Sequence, residues 1–414
     1  MDNPSLNVPA AAAVAVEPPS LRRFYSYKLV SGMEFTSGVW ILYLQRQGLS
    51  LTEIGLAESA FHLAPVLLEI PSGSFADLVG RRWSLAIGAL LVAISTALLF
   101  AADSLPMAAL ALFLNGASYS FRSGADQAWL YDSLGERATG FAGILGRLLG
   151  ASYLVAGAAL WIGAALSDSS FTWPFILTIS GSLAAVWLAV GLKEPPRGVG
   201  AEEKHHSVLS HLGQVATAIR QRPLIAGMLL LSGMFWTAGT IPGLYLQAAF
   251  SERGMSNGSI GLVLGLSLVV TAFGAAVADR FLPGKRFVWQ LIPLTVLAGL
   301  GIMGAAYEVL LLAATAYIIS ELAAGLLEPL LFAWFNRNIP SGQRATLLSV
   351  DSWIFSVTMI GAFPLGGWLA ETYGWAALYL LCGGWRVLLG VVALLAAFLW
   401  RPRGETPPAS SLAG

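Results

Sequence analysis

Gly73-Ser-Phe-Ala-Asp77-Leu-Val-Gly80-Arg81-Arg82 spans the junction of two apolar runs, 52–78 and 83–102. Each run is long enough to cross roughly 30 Å of hydrocarbon as a helix rising 1.5 Å per residue. The break between them is short and carries two adjacent arginines. It also holds a glycine where the chain must reverse. It reads as a tight loop joining two membrane helices. Working outward, apolar runs recur at 24–46, 105–132, 138–166, 171–192, 223–250, 257–281, 287–305, 307–336, 345–371 and 375–400. Backbone groups in lipid must bond to one another, so runs of this length are helices. Barrel strands are shorter and alternate.

Composition agrees with this reading. Of 414 residues, 56% are apolar and 11% charged, against roughly 25% charged in soluble domains. Mean hydropathy is +0.71. The net charge of zero implies no bulk attraction to nucleic acid. The single cysteine, Cys382, excludes an internal disulfide and a cysteine-based metal cluster. Ala10 to Val16 is apolar but short, lacks a basic flank and precedes Glu17-Pro18-Pro19, so no signal peptide is read there.

The longest polar connection, 193–222, divides the runs six and six. The expected organisation is a disordered cytoplasmic tail over 1–21, a six-helix bundle over 22–192 and a cytoplasmic loop over 193–222. A second six-helix bundle follows over 223–402, then a cytoplasmic tail over 403–414. Within the loop, His211 to Arg222 is a candidate surface helix, and His205 and His206 are solvated. With the amino terminus inside, 18 of the 23 Lys and Arg residues face the cytoplasm, as the positive-inside rule requires. Only Arg46 and Arg253 fall in outer loops.

The halves resemble each other. Gly48-Leu-Ser-Leu-Thr-Glu-Ile-Gly-Leu56 matches Gly254-Met-Ser-Asn-Gly-Ser-Ile-Gly-Leu262. Tyr43-Leu-Gln45 recurs as Tyr245-Leu-Gln247, Ala76-Asp77 as Ala278-Asp279, and Arg137-Ala-Thr139 as Arg344-Ala-Thr346. The shared order and near-constant offset indicate a duplication. Because six is even, the two copies run in the same direction, a layout used by transporters.

The break at Gly73 to Arg82 resembles the inside-loop signature of the major facilitator superfamily: a glycine, an aspartate four residues on, then Gly-Arg-Arg. The resemblance implies an all-α integral membrane fold of 12 transmembrane helices in two parallel six-helix repeats. It also implies that Gly73, Asp77, Gly80, Arg81 and Arg82 form a latch on the inside, closed and released during transport. Physically, Gly80 suits the sharp turn and Gly73 a close helix approach. Asp77 can face a helix amino terminus, and Arg81 can pair with Asp132 at the end of span 4. The simpler alternative makes Arg81 and Arg82 topology determinants only. The chain departs from the family at Leu112-Phe-Leu-Asn115-Gly116, which lacks the arginine found early in span 4 of many members. No proton-coupling role carries over from that motif.

Ionisable groups at bilayer depth cost at least ~2.5–3.5 kcal/mol on insertion scales and mark functional sites by default. Counting along the spans places Glu34 and Arg122 near the midplane, and the resemblance puts spans 1 and 4 beside a central cavity. Glu34 and Arg122 are therefore a candidate buried pair. Asp126, four residues after Arg122, shares its helical face and is a second candidate partner. That alternative leaves Glu34 free to take a proton or a cationic substrate; otherwise Glu34 is a permanently paired structural residue. Glu321 and Glu328, seven apart in span 10, are further candidates, as are Glu58, His62, Glu69 and Asp351. Arg386 reads as structural. Trp40, Tyr119 and Trp236 are candidate cavity rings for hydrophobic or cationic ligands, or packing and interfacial residues.

No Gly-x-x-x-x-Gly-Lys-Ser/Thr loop, His-Glu-x-x-His or Gly-x-Ser-x-Gly occurs. The expectation is a secondary transporter of the inner membrane with both termini cytoplasmic, not an enzyme, without cofactor or metal. Its partners are a small-molecule substrate, protons as coupling ion and the bilayer, with no nucleic acid, and the protein is a monomer. The chain resembles prokaryotic drug/proton antiporters, which implies efflux of small hydrophobic or cationic compounds. The alternative is symport or facilitated uptake of a sugar, metabolite or organic anion. A third is a non-transporting membrane sensor or lipid-handling protein.

Overall fold

A computed structural model describes residues 18–135, 140–195, 223–281, 287–338 and 341–399. Arg137, the loop residues Lys204, His205 and His206, the candidate helix His211 to Arg222, and the tail 403–414 lie outside the described residues. The side chains of Asp279, Arg337, Arg344 and Asp351 also lie outside them.

The described chain is all-helical. Its elements are α1 (Pro18–Val30), α2 (Trp40–Arg46), α3 (Leu51–Leu78), α4 (Arg81–Ala101), α5 (Leu105–Arg122), α6 (Ala125–Leu134), α7 (Phe141–Ser167) and α8 (Thr172–Val190). They continue with α9 (Pro223–Glu252), α10 (Asn257–Val277), a 3-10 turn (Ala278–Phe281), α11 (Phe287–Gly304), α12 (Leu310–Asn338) and α13 (Ser341–Leu399). Among the described residues, eight helices are long and apolar enough to cross a membrane. α13 takes non-helical angles at Gly374 (φ 81°), where two helices meet end to end. Two interrupted pairs fall outside the eight, α1 and α2 with turns over 31–39 and α5 and α6 with a break at Ser123–Gly124, and so does α11, whose apolar stretch Leu291–Gly304 is shorter.

Local rules account for the boundaries. Residues 18–21 were expected to belong to the tail, but α1 begins at Pro18. Prolines suit a first helical turn, whose N–H groups have no intrahelical acceptor. The duplicated segments fold alike. Gly48 (φ 95°) and Gly254 (φ 89°) adopt the left-handed region, and two residues later Ser50 and Ser256 cap α3 and α10. Ser50 and Glu53 form a reciprocal capping box.

Packing falls into two sets. α3 to α5 and α8 interlock in the first, and α9 to α13 in the second. Two seams join them, α3 against α13 and α7 against α10. The second seam is close because Gly157 and Gly265 face each other. A Cβ on Gly157 would lie 2.9 Å from the Gly265 carbonyl oxygen.

Candidate functional site

The interruptions in α1/α2 and α5/α6 build a charge cluster. Phe24 stacks on Trp129 with ring centroids 4.6 Å apart, and the Tyr27 hydroxyl donates to the Leu85 carbonyl at 3.3 Å. These contacts fix α1 against α6 and α4. Lys28, in the last turn of α1, consequently meets Asp126 in the first turn of α6 as an ion pair. Arg122 ends α5, and its stem passes Gly88 of α4, where a Cβ would lie 2.6 Å from Arg122 Cγ.

The pairing offered for Arg122 and Asp126 from their i, i+4 spacing does not form. The helix ends between them, and Gly124 takes φ 73° to start α6 in a new direction, so their helical register is lost. Arg122 instead faces the turn that carries Glu34. Its Nη2 lies 3.7 Å from Glu34 Oε1, beyond ordinary hydrogen-bond distance. Its other contacts are long: 3.5 Å to the Ser31 carbonyl and 3.4 Å to Ser118 Oγ. Among the described residues, its buried Nε has no hydrogen-bond acceptor. The Glu34 and Arg122 side chains are 33% and 22% exposed. Glu34 is thus tethered by charge and by a 3.5 Å contact from Ser37 Oγ, while Asp126 is committed to Lys28.

At the helix ends nearer the termini, the Gly73 to Arg82 segment folds as a two-residue turn. Gly80 takes φ 124°, a conformation that side chains rarely adopt. Arg81 Nη1 contacts Asp132 Oδ2. Asp77 is exposed and does not cap α4. Glu194 does so: its carboxylate accepts from Arg81 N at 2.7 Å and Arg82 N at 3.1 Å. This residue escaped sequence reading because it stands outside the motif, just past α8; its only signal is a carboxylate beside Lys193 and two prolines. Arg82 Nη1 donates to the Leu192 carbonyl at 3.4 Å. The close approach expected at Gly73 is not made: the residue is exposed, and a Cβ there would meet nothing described within 4 Å.

In the second set of helices, Arg386 is 2% exposed. It donates to the Phe235 carbonyl at 3.1 Å and to Ser320 Oγ at 3.5 Å, and sits 4.3 Å over the Phe235 ring. Glu321 lies in its field and accepts from Thr271 Oγ1 at 3.4 Å. Glu328, two turns along the same helix, is exposed and interacts electrostatically with Tyr153 of α7. Glu321 and Glu328 therefore occupy different surroundings despite their shared spacing. Tyr119 is exposed, whereas Trp40 and Trp236 are half-buried and pack against apolar clusters. His62 is buried, stacked on Phe363 at 5.4 Å.

Comparison with known proteins places this geometry. The chain is 24% identical over 368 residues to the uncharacterized MFS-type transporter YxaM of Bacillus subtilis (strain 168), covering 86% of this chain and 90% of that one. In structure it resembles the nucleoside transporter NupG (D323A mutant) with a TM-score of 0.78 at 16% identity, covering 92% and 98% of the two chains. It resembles the D-xylose-proton symporter with a TM-score of 0.64 at 14% identity, covering 91% and 96%. The human organic anion transporter MFSD10 gives 0.61 at 14% identity, covering 91% and 100%. At these identities the structural likeness concerns the fold. The sequence pattern of the Major Facilitator Superfamily matches residues 26–350 and 240–414. The chain belongs to that superfamily and is a multi-pass membrane transporter of its kind.

Proposed function

We propose that this transporter is a proton-coupled exporter of small hydrophobic or cationic compounds, working by alternating access across twelve spans as a monomer. In this reading α1 with α2 and α5 with α6 are interrupted spans, α13 contributes two, and both termini are cytoplasmic in the cell membrane. The two packing sets are parallel repeats, one formed by 22–192 and the other by 223–402. Arg81 and Asp132 form the inside latch.

The observation that carries the proposal is the Glu34–Arg122 pair, 3.7 Å apart and partly exposed, set in the break between α1 and α2. A carboxylate without a short bond to its cation can exchange that partner for a proton or a cationic substrate. Proton and substrate then compete for one group, which is the requirement for antiport. Glu321 and the exposed Glu328 and Tyr119 supply further acids and a ring. Trp40 and Trp236 contribute their accessible edges.

A second reading, uptake of an organic anion or polar metabolite, is favoured by Arg122 itself. Its side chain is 22% exposed and its guanidinium contacts are no shorter than 3.4 Å, which leaves donors to offer a substrate.

Accumulation of a fluorescent cationic dye in an efflux-deficient bacterium separates these readings. Cells making the wild-type chain are expected to hold less dye than vector cells, and a protonophore abolishes the difference. Glu34→Gln is expected to accumulate dye as vector cells do. Low accumulation in both proteins removes Glu34 from coupling. Wild type matching vector for cationic dyes, with uptake of an anionic probe, favours the second reading.

A further inference from the structure

The first turns of α3 and α10 are completed by the opposite packing set. A helix begins with N–H groups that have no intrahelical acceptor. In α3 the capping box satisfies two of them: Ser50 N donates to Glu53 Oε2 at 2.9 Å, and Glu53 N to Ser50 Oγ at 3.2 Å. The other two go to Glu371 of α13. Leu51 N donates at 2.5 Å and Thr52 N at 3.3 Å to its Oε1, while the Thr52 hydroxyl contacts Oε2.

α10 repeats this arrangement with the roles of the halves exchanged. Ser259 N donates to the cap Ser256 Oγ at 3.3 Å. Asn257 N and Gly258 N donate to Asp168 at the end of α7, at 2.9 and 3.0 Å. Asn257 Nδ2 also donates to Ser167 Oγ at 3.0 Å. In both helices the same two amides, first and second after the cap serine, are held by a carboxylate from the other half of the chain, Asp168 just past α7 and Glu371 one turn before the Gly374 break in α13. The cap serines lie in the duplicated segments, so one ancestral contact made twice accounts for both.

We propose that Asp168 and Glu371 are a reciprocal pair of gate clamps that hold shut the end of the transporter opposite its termini, and that transport requires both to release. They act as positioning residues, through the helix amino termini they hold. Each contact is a charge-assisted bond reinforced by the positive helix end. Both carboxylates are exposed, so water can replace the amides when the seams part, and the latch is reversible. The hydroxyl of Tyr245 in α9 donates to the Phe363 carbonyl at 2.8 Å and lies 3.2 Å from the Leu51 carbonyl, tying the same corner from within. Gln247 of α9 reaches the Ser37 carbonyl at 2.8 Å.

The proposal rests on the alternating-access part of the reading above and is tested apart from transport. Spin labels are attached at Gln47→Cys and Glu308→Cys, exposed sites on opposite sets at that end. The background is Cys382→Ala, the purified full chain is in nanodiscs, and distances are read by double electron–electron resonance. The wild-type background is expected to show mainly the short distance. Asp168→Asn and Glu371→Gln are each expected to raise the long-distance population about fivefold, and the double variant more. Asp168→Glu and Glu371→Asp, which keep the charge, should restore the short distance. Asp103→Asn, which removes an exposed outer carboxylate outside the clamps, should change nothing. An unchanged distribution in the double variant, or an equal change from Asp103→Asn, overturns the clamps. Dye transport is measured on the same proteins. Shifted distances in a chain that moves no dye leave the clamps standing and count against export instead.

Discussion

At the scale of single residues, the contrast between two ion pairs decides the candidate site. Lys28 and Asp126 are in direct contact, whereas Arg122 and Glu34 stand 3.7 Å apart. The loose pair depends on where the Arg122 stem can lie, and Gly88 determines that. Gly88→Val places methyl groups where Arg122 Cγ and Cδ now pass. A Cβ there also comes 3.1 Å from the Ser118 carbonyl oxygen of α5, so folding is checked by melting temperature in detergent, and in the folded variant dye export should fall toward that of Glu34→Gln. Undiminished export from a normally expressed Gly88→Val protein would separate Arg122 placement from transport. Arg81 on Asp132 was legible from the sequence, since the motif sets a cation at one helix end and the spans bring a carboxylate to the same depth. Arg122 with Asp126 misled, because i, i+4 spacing holds only within an unbroken helix and nothing in hydropathy marks Gly124 as a break. Glu194 was invisible for a different reason: a loop carboxylate becomes a cap only once α8 is seen to end beside α4.

At the scale of elements, turn chemistry accounts for most boundaries. The Gly48–Ser50 and Gly254–Ser256 turns are a left-handed glycine followed by a serine cap, and both were readable as a repeat. The apolar runs gave the helices, but averaging over a run concealed the turns at 31–39 that carry Glu34. Those turns place a charged residue where backbone groups are not all spent on helix bonds, which is where transporters build sites. The α3–α4 turn offers a direct test of local strain. Gly80 has φ 124°, and a Cβ there would also come 3.2 Å from the Glu194 carboxylate. Gly80→Ala should destabilise the protein by about 1–3 kcal/mol, read as a lower melting temperature in detergent. It should also loosen the Glu194 cap on Arg81 and Arg82. A melting temperature equal to wild type would mean that the turn tolerates the side chain.

At the scale of the molecule, two packing sets meet along α3–α13 and α7–α10, and the described bridges between them gather where Asp168 and Glu371 reach across. The proposed two-repeat layout accounts for contacts that come in pairs with exchanged roles, a feature no single span reveals. In the coupling proposed above, Glu34 is the group whose charge decides which face opens. Its test is transport in proteoliposomes under an imposed proton gradient, with wild type and Glu34→Gln reconstituted to equal density and a cationic dye as substrate. The gradient should drive dye across the wild-type membrane against its own concentration difference, while Glu34→Gln should only let dye equilibrate. Gradient-driven accumulation by Glu34→Gln at the wild-type rate would contradict proton coupling through Glu34.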